Sequence, residues 1–242
     1  MHSEVMIETS DRATCTEGYS LRFNGETGKW MLSVQEDIIL NMLSQEGVKT
    51  ILDVGGGHGQ VAIPLAHNGY DVTVLGSSAE CRKMISDEIE AGRLRFIVGN
   101  PLQLPFPNKS FDAAVCIRLL SHTLNWKRLL RELCRVSRKC IIVDYPSFKS
   151  FNAVSGLFFP LKKKIEGNTR PFRVFFDKEV IEALSSTCPG TLKLKREFFL
   201  PMVFHRVLKN AKVSRWLELI FAHMGLTFYF GSPVILEWIQ SL

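Results

Sequence analysis

The sequence has no long hydrophobic run and no apolar N-terminal leader. Its longest apolar stretches, FNAVSGLFFPL at 151–161 and LELIFAHMGLTFYF at 217–230, fall short of the ~20 clean residues that span a bilayer. The first 14 residues, MHSEVMIETSDRAT, are polar and lack the apolar centre of a signal peptide. Together these absences predict a soluble, cytoplasmic protein.

Metal-binding and disulfide patterns are also absent. The six cysteines form no C-x-x-C pair, and none has a histidine at metal-ligand spacing, so we predict no metal site. Cys116 and Cys140 lie inside apolar runs, as small core residues do. The pattern favours thiols that are reduced, buried and unreactive.

Acidic residues are scarce in the C-terminal part of the chain. Residues 146–242 contain 14 Lys and Arg against 7 Asp and Glu, whereas residues 1–145 contain 16 against 17. The net charge of +6 therefore comes entirely from the C-terminal part. Such an asymmetry indicates an anionic partner or acceptor, or a basic surface that is simply solvated.

Short apolar runs alternate with helical patterns through the first two thirds of the chain. The runs at 50–54, 70–76, 94–100, 111–119 and 139–147 predict strands, and helical spacing at 30–47, 61–69, 78–92 and 125–138 predicts the helices around them. Alternating strands and helices give a parallel sheet with helices on both faces. The fold class is therefore α/β, with a Rossmann-like, doubly wound, mostly parallel sheet.

We interpret the 242 residues as a single domain with four parts. Residues 1–47 form an N-terminal helical cap, and residues 48–147 form the core that would hold a cofactor. Residues 148–175, which are aromatic and basic with no clean period, form an insertion or lid after strand five. Residues 176–242 form the end of the same sheet, with a capped helix at Asp177, a sixth strand, a long helix at 203–225 and a last strand.

The segment ILDVGGGHGQ at 51–60 places four glycines within five positions after an apolar strand. Glycine is required where the backbone turns sharply or approaches a ligand closely. A glycine-rich turn between a strand and a helix is typical of a nucleotide-binding loop, although a tight turn without a ligand has the same form. Ligands in such sheets bind at the carboxyl ends of the strands, where this loop falls.

Three segments resemble the class I S-adenosylmethionine-dependent methyltransferases, and more narrowly the type 11 methyltransferase domain, over about residues 48–146. The first is ILDVGGGHG, and the second is GNPLQLPFPNKSFDAAVCIRLLSHTL at 99–124. The third is the helix LLRELCRVSR with the strand KCIIVDYP that follows it. The resemblance implies a seven-stranded sheet, S-adenosylmethionine as cofactor and methyl transfer as the reaction.

The resemblance also assigns roles to individual residues. Asp53, Gly55, Gly56 and Gly57 would meet the methionine end of the cofactor, and Gly59 would let the next helix pack closely. Asn100, Pro101 and Leu102 would flank the adenine, with Asn100 in place of the family's usual aspartate. Arg118 follows the fourth strand, close to where the sulfonium would lie. These are expectations taken from the family, carried onto the matching positions of this sequence.

One departure from the family falls at the end of the second strand. The family has an Asp or Glu there that holds the ribose hydroxyls, whereas this chain has Gly76, followed by Ser77 and Ser78. Losing such charge-assisted hydrogen bonds costs roughly 1.5–3 kcal/mol of binding free energy. Two alternatives therefore stay open. One is an NADP-dependent oxidoreductase, since the loop also fits G-x-G-x-x-A. The other is a catalytically silent binding protein that uses its basic C-terminal surface.

Methyl transfer requires a base only if the acceptor must lose a proton. The candidate catalytic residues are His122, after strand four, and Asp144 and Tyr145, at the end of strand five. Each has a purely structural alternative, as a side chain that anchors a loop. His58, in the glycine loop, is expected to be solvated.

The acceptor is expected to be a small molecule, apolar or aromatic, or anionic and lipid-like. Aromatic residues of the insertion would line its pocket or would simply pack on the sheet; they are Phe151, Phe158, Phe159, Phe172 and Phe175. An apolar run followed by Lys162, Lys163 and Lys164 also suits peripheral contact with an anionic membrane surface. Nucleic acid is a poor fit, because the sequence contains no recognised binding motif for it.

Overall fold

The computed structural model of the chain describes residue 11 and residues 21–45, 47–150 and 172–241. Most of the predicted insertion, together with Phe151, Phe158, Phe159 and the three consecutive lysines, lies outside the described residues. None of the helices within the described ranges is long and apolar enough to cross a membrane.

Seven strands form one sheet in the order β3-β2-β1-β4-β5-β7-β6. The strands are β1 Thr50–Val54, β2 Asp71–Gly76, β3 Leu94–Val98, β4 Phe111–Cys116, β5 Ser137–Tyr145, β6 Gly190–Phe198 and β7 Ser232–Gln240. The first five pair in parallel, and β7 runs antiparallel to both β5 and β6. The carboxyl ends of β1, β2, β4, β5 and β6 therefore meet at one edge. The α/β class and the mostly parallel seven-stranded sheet are confirmed.

The helices are α1 Gly25–Gln45, α2 Ala62–His67, α3 Ser86–Glu90, α4 Trp126–Val136, α5 Asp177–Ser185, α6 Met202–Leu208, α7 Ala211–His223 and α8 Leu226–Phe230. Short 3₁₀ helices lie at Leu21–Phe23, Ala79–Ile85 and Leu120–His122. Together with the strands, they account for the regular structure in the described ranges.

Both faces of the sheet are covered by apolar helices. On one face, α4 buries Trp126, Leu129, Leu130 and Leu133, whose spacing of three and four residues gives a continuous stripe. On the other face, buried side chains of α1 and α2 pack against β1, β2 and β4. β4 is buried along its whole length, and apart from Asp112 its residues are the apolar ones that a strand covered on both faces requires.

Local polar contacts change three of the predicted helices. Ser78 does not cap a helix, because its hydroxyl lies 3.4 Å from the Glu80 carboxylate, and a 3₁₀ helix follows. Asp177 does not cap α5, because its carboxylate accepts bonds from Tyr145 and Arg196. The long helix predicted at 203–225 breaks at Lys209, which has a φ of 51°, and the Asn210 side chain caps α7 through Val213 N.

Candidate functional site

The glycine loop joins β1 to α2 at the carboxyl edge of the sheet. Gly55 has a φ of 83° and donates its N–H to Leu75 O at 2.8 Å, which ties the loop to β2. A methyl group added at Gly56 would overlap the Asp53 carboxylate. A methyl group added at Gly59 would come within 2.7 Å of Ile63 and Ile85, so this glycine permits close packing of the helices behind the loop. Gly55 is therefore needed for its positive φ, and Gly56 and Gly59 are needed because a Cβ atom there would clash with neighbouring side chains.

The Asp53 carboxyl group lies beneath this loop and is 1% exposed. Burial raises the pKa of Asp53 to about 7, although the Arg118 charge and a bond from Ala62 N both oppose the rise. Its Oδ2 atom has no hydrogen-bond partner in the described parts of the chain. A buried carboxyl oxygen without a partner is costly, so it marks a place where a ligand's donor or positive charge would be stabilised.

Arg118 is the positive charge of the site. Its backbone has a φ of 61°, which directs its N–H to Asp144 Oδ1 at 2.5 Å. The guanidinium group lies 4.7 Å from the centre of the Phe23 ring, and its Nη2 donates to Gln35 Oε1 at 3.0 Å. Its buried Nε and Nη1 atoms have no acceptor among the described residues. Arg118 can therefore donate further bonds to an anionic or carbonyl group.

Two more buried carboxyl groups complete the cluster. Burial raises the pKa of Asp144 to about 6, against the bond and the charge from Arg118. Burial and the nearby charge of Asp144 raise the pKa of Glu197 to about 8. Glu197 Oε1 accepts from Gln35 Nε2 at 3.0 Å, and Glu197 Oε2 has no partner within the described ranges. At neutral pH, Asp144 is mostly ionised and Glu197 mostly protonated.

Asp144, Arg118, Gln35 and Glu197 come from four separate segments of the chain, and hydrogen bonds connect them in that order. Asp53, Asp144 and Arg118 were predicted from the sequence, whereas Gln35 and Glu197 were not. Glu197 lies near the carboxyl end of β6, a strand of mixed polarity. Its position at the ligand-binding edge of the sheet is the one feature of the sequence that could have predicted its role. Gln35 lies within the long helix α1 and carried no signal of its own.

The other candidate bases are placed differently. Tyr145 is fully buried and its hydroxyl group donates to Asp177 at 3.2 Å, so burial holds its pKa far above the ordinary value. His122 is half-buried and ends the 3₁₀ helix after β4. His58 is 7% exposed, so the expectation that it is solvated is wrong. Burial first, and then the Arg118 charge, lower the pKa of His58 to about 3.

The segment after β3 forms a compact turn at the same edge. The Asn100 side-chain oxygen accepts from Leu102 N at 3.0 Å, and Pro101 and Leu102 are buried. Gly76, at the end of β2, packs closely on Phe96 and Cys81. Ser77 N donates to the Asp11 carboxylate at 2.6 Å. Segments assigned to adenine and ribose by the resemblance therefore lie beside the glycine loop, at the ends of neighbouring strands.

A groove of about 390 Å³ lies between α1, β6 and α7. Its walls include Trp30, Val34, Glu197, Phe198, Leu219 and Thr227. The rings of Trp30 and Phe198 meet edge to face, 5.3 Å apart. Glu197 belongs both to this groove and to the buried polar chain, so the groove opens next to the site. Phe175, in contrast, is fully buried and packs against Trp126 and Tyr145.

Comparisons with known proteins agree with this geometry. Residues 52–140 match the family model described as a methyltransferase domain. An O-methyltransferase of Pyrenophora dematioidea is 33% identical over 106 residues, covering 41% of this chain and 39% of that protein. A demethylmenaquinone methyltransferase of Deinococcus radiodurans is 30% identical over 120 residues, covering 46% and 50%. The chain thus spans half or less of the length of these two curated relatives.

Solved structures show the same fold. Magnesium protoporphyrin IX methyltransferase from Synechocystis PCC 6803, solved with bound S-adenosylhomocysteine, superposes with a TM-score of 0.65 at 13% identity. The match covers 93% of this chain and 94% of that one. The fold is that of the class I methyltransferases. Within it, residues 52–140 match the methyltransferase-domain family model, and S-adenosylmethionine is the cofactor that this resemblance implies.

The residues present suit that cofactor. Its sulfonium carries a positive charge, and the cluster offers three buried carboxyl groups around a single guanidinium. The Asp53 oxygen that lacks a partner lies directly under the glycine loop, where only glycine leaves room for it. The buried acidic groups beside the glycine loop therefore match a cationic ligand in charge.

Proposed function

We propose that the protein is an S-adenosylmethionine-dependent methyltransferase whose acceptor is a small molecule with an ionisable proton. The buried cluster of Asp53, Asp144, Glu197 and Arg118 beside the glycine loop carries this proposal. The cluster combines a cation site with a carboxylate able to accept a proton, at the ligand-binding edge of the sheet. We also propose the division of the chain that the sequence predicts: an N-terminal cap, a cofactor-binding core, an insertion and a C-terminal end of the sheet.

Each residue then has a physical task in holding the cofactor. Asp53 and the loop glycines Gly55, Gly56, Gly57 and Gly59 hold the methionine end, and Arg118 provides donors beside it. Asn100, Pro101 and Leu102 flank the adenine, while Gly76 and Ser77 border the ribose. S-adenosylmethionine, when bound, supplies an activated methyl group for in-line displacement. The protein's contribution is to align the acceptor and to exclude water.

Asp144 is the base that this arrangement favours. Its pKa of about 6 leaves it ionised at neutral pH, so it can accept a proton from the acceptor. Glu197 is mostly protonated at that pH and acts as a hydrogen-bond donor instead. Tyr145 is held by Asp177, on the side of the sheet covered by α4 and α5. His122 remains a second candidate base because it follows β4 at the same edge.

The groove between α1, β6 and α7 supports an apolar or aromatic acceptor. The aromatic residues in its walls favour a flat apolar body, and Glu197 in the same walls favours a polar substituent. The relatives named O-methyltransferase and demethylmenaquinone methyltransferase fit acceptors with an acidic hydroxyl group or a quinone ring. We therefore propose a phenol-like or quinol-like acceptor.

Calorimetric titration of the full chain with S-adenosylmethionine, S-adenosylhomocysteine and NADPH tests the proposal. We expect micromolar binding of the first two ligands and none of the third. Turnover of phenolic and quinol acceptors should then fall about 100-fold or more in Asp144→Asn, with cofactor binding retained. Binding of NADPH alone would indicate the oxidoreductase, and silence for all three ligands would indicate the catalytically silent binding protein.

The surface formed by α6, α7 and α8 supports a peripheral membrane contact. Its exposed apolar side chains include Phe204, Val207, Trp216, Leu219, Met224, Phe228 and Tyr229. Between residues 202 and 230 the basic residues are Arg206, Lys209, Lys212 and Arg215, and the single acid is the buried Glu218. A second copy of this basic surface would repel the first, whereas an anionic bilayer attracts it. We therefore propose that this face binds anionic lipid.

Flotation with vesicles tests the membrane contact. We expect the protein to bind vesicles of phosphatidylcholine with phosphatidylglycerol but not phosphatidylcholine alone, and to dissociate as salt is raised. The pair Trp216→Ala and Leu219→Ala should weaken binding, because both side chains lie on one exposed face of α7. Ile97→Ala, on the opposite edge strand, is the matched control. Equal binding by all variants would refute this contact, and concentration-dependent dimerisation would assign the face to a second copy.

A further inference from the structure

The carboxyl end of β2 lacks an acidic side chain and has no room for one. In doubly wound sheets that bind nucleosides, a carboxylate near the end of the second strand takes the ribose hydroxyls. Here that strand ends at Gly76, and a Cβ atom at this position would lie 2.8 Å from Phe96 Cζ and 2.9 Å from Cys81 Cβ. Phe96 of β3 and Cys81 of the 3₁₀ helix that follows β2 thus occupy the space that an acidic side chain would need.

A carboxylate reaches this place from a distant part of the chain. Asp11 Oδ2 accepts the N–H of Ser77 at 2.6 Å and lies 3.7 Å from Cys81 Sγ. A Cβ atom built at Gly55 would lie 3.7 Å from the Cβ of Asp11. Asp11 therefore lies between the carboxyl ends of β1 and β2, although 66 residues separate it from Ser77 in sequence.

We propose that Asp11 supplies the ribose-binding carboxylate that β2 itself lacks; this inference rests on the proposed function. A carboxylate offers about four lone-pair sites, so it can accept the Ser77 bond and ribose hydroxyl bonds together. Asp11 is 2% exposed, and a buried acid is stabilised by such donors. The same negative charge disfavours a 2′-phosphate, which counts against NADP as the ligand.

Two features of β2 follow from this assignment. Gly76 lets Phe96 and Cys81 pack tightly under the strand end, so the site loses nothing by having glycine there. The Ser77 N–H fixes one oxygen of Asp11, and this bond orients the carboxylate toward the gap between β1 and β2. Asp11 is thus a specificity-determining residue for the ribose, contributed by the N-terminal part of the chain.

Calorimetry of full-length variants tests this role without any turnover assay. Asp11→Ala and Asp11→Asn should bind S-adenosylhomocysteine about 10- to 100-fold more weakly than the unmodified chain, the range expected for lost hydrogen bonds to a charged group. The 2′-deoxy analogue of S-adenosylhomocysteine provides the second readout. It should bind the unmodified chain more weakly than the parent ligand does, whereas Asp11→Ala should no longer distinguish the two ligands.

Asp71→Asn, at the opposite end of β2, is the matched control and should leave both affinities unchanged. Unaltered affinity of Asp11→Ala for S-adenosylhomocysteine would overturn the inference while leaving the proposed function intact. Tighter binding would also overturn it, because Asp11 would then occlude the ribose site. Equal loss of affinity for parent and deoxy ligands would reduce Asp11 to a structural residue. Failure of the unmodified chain to bind S-adenosylhomocysteine would instead refute the proposed function.

Discussion

At the scale of single residues, Glu197 keeps a proton at neutral pH because it is buried near the charge of Asp144. Its pKa in the folded protein is about 8, above the ordinary 4.5, so folding binds a proton between these values. The contribution of Glu197 to the free energy of unfolding therefore falls as the pH rises from about 4.5 to about 8. We expect Glu197→Gln to flatten this pH dependence, as measured by urea unfolding at pH 5, 6.5 and 8.

Glu90→Gln, which changes an exposed glutamate of α3, should preserve the pH dependence of the unmodified chain. The amide of Glu197→Gln keeps the size of the side chain and can still accept a hydrogen bond from Gln35. The substitution therefore removes the ionisable group without changing the packing. If Glu197→Gln showed the same decline in stability as the unmodified chain, the carboxyl group would not be buried as a neutral acid.

Cys188 is expected to be more reactive than the four buried cysteines. Its Sγ atom lies 2.9 Å from Cys134 Sγ, and contact with Cys134 first, then the Lys109 charge, lower the pKa of Cys188 to about 7. Cys188 is also half-buried, whereas Cys81, Cys116, Cys134 and Cys140 are buried. Because thiolates are the reactive form, iodoacetamide at pH 7.5 should modify Cys188 before these four.

Peptide mass mapping over a time course measures this order. Cys188→Ser should remove the fast phase of labelling, while Cys140→Ser should leave it in place. The sequence led us to expect unreactive thiols throughout, because neither motif nor spacing places Cys134 against Cys188. Simultaneous labelling of the five thiols would show that the contact has no effect on reactivity.

At the scale of elements, the loop between β1 and α2 depends on a steric relation between two residues. A methyl group at Gly56 would overlap the Asp53 carboxylate, so Gly56→Ala should displace that side chain and abolish cofactor binding. In an Asp53→Ala background the obstacle is gone, and the same substitution should cost less stability. A double-mutant cycle of unfolding free energies measures this coupling, which we expect to reach about 1–3 kcal/mol.

Gly69→Ala is the control for this cycle. A methyl group at Gly69 would meet nothing within 4 Å, although its φ of 86° makes the substitution mildly strained. Its cost should be the same with and without Asp53. Additive effects of Gly56→Ala and Asp53→Ala would mean that the loop does not press on the carboxylate as described.

Periodic elements were predictable from sequence because their cause is local. The apolar runs of β1, β2, β4 and β5 and the stripe of α4 follow directly from burial on both faces of a sheet. The break at Lys209 and Asn210 was missed, because the apolar pattern continues across it and only the cap reveals the boundary. A hydrogen bond between a side chain and the backbone, and not the apolar pattern, sets this helix boundary.

The candidate site was predictable only where one segment contains it. Asp53 and the glycines form a contiguous motif, while Arg118 follows β4 and Asp144 lies near the end of β5, at the same edge of the sheet. Asp11 and Gln35 reach the site through long-range packing from segments without a motif. Nothing in the sequence specifies which helix face or which terminal residue meets the strand ends, so those contributions emerge only in three dimensions.

At the scale of the whole molecule, the proposed function gives the buried acids and the basic C-terminal surface different partners. The acids are enclosed between the sheet and α1, where a cation is stabilised and a phosphate is not. Lys209, Lys212 and Arg215 are exposed, among exposed apolar side chains of α6 and α7. Under the proposed function, a cationic cofactor and an anionic surface would therefore bind at separate places on the chain.

This separation predicts how the cofactor stabilises the whole protein at different pH values. A ligand present at 100 times its dissociation constant adds about 2.7 kcal/mol, roughly 5–10 °C in Tm for a chain of this size. A cation bound next to Asp53 lowers the pKa of that group from about 7, so binding releases protons and tightens as the pH rises. The Tm increase produced by S-adenosylmethionine should therefore grow between pH 6 and pH 8.

S-adenosylhomocysteine, which lacks the sulfonium charge, should produce a Tm increase that changes less with pH, and Asp53→Asn should reduce both the increase and its pH dependence. Differential scanning calorimetry at pH 6, 7 and 8 compares the two ligands at equal saturation. Because each measurement is a difference from the ligand-free protein at the same pH, the intrinsic decline in stability caused by Glu197 and Asp144 cancels. Identical pH profiles for the two ligands would mean that Asp53 meets the α-ammonium group, which both ligands carry, and that the sulfonium lies away from Asp53.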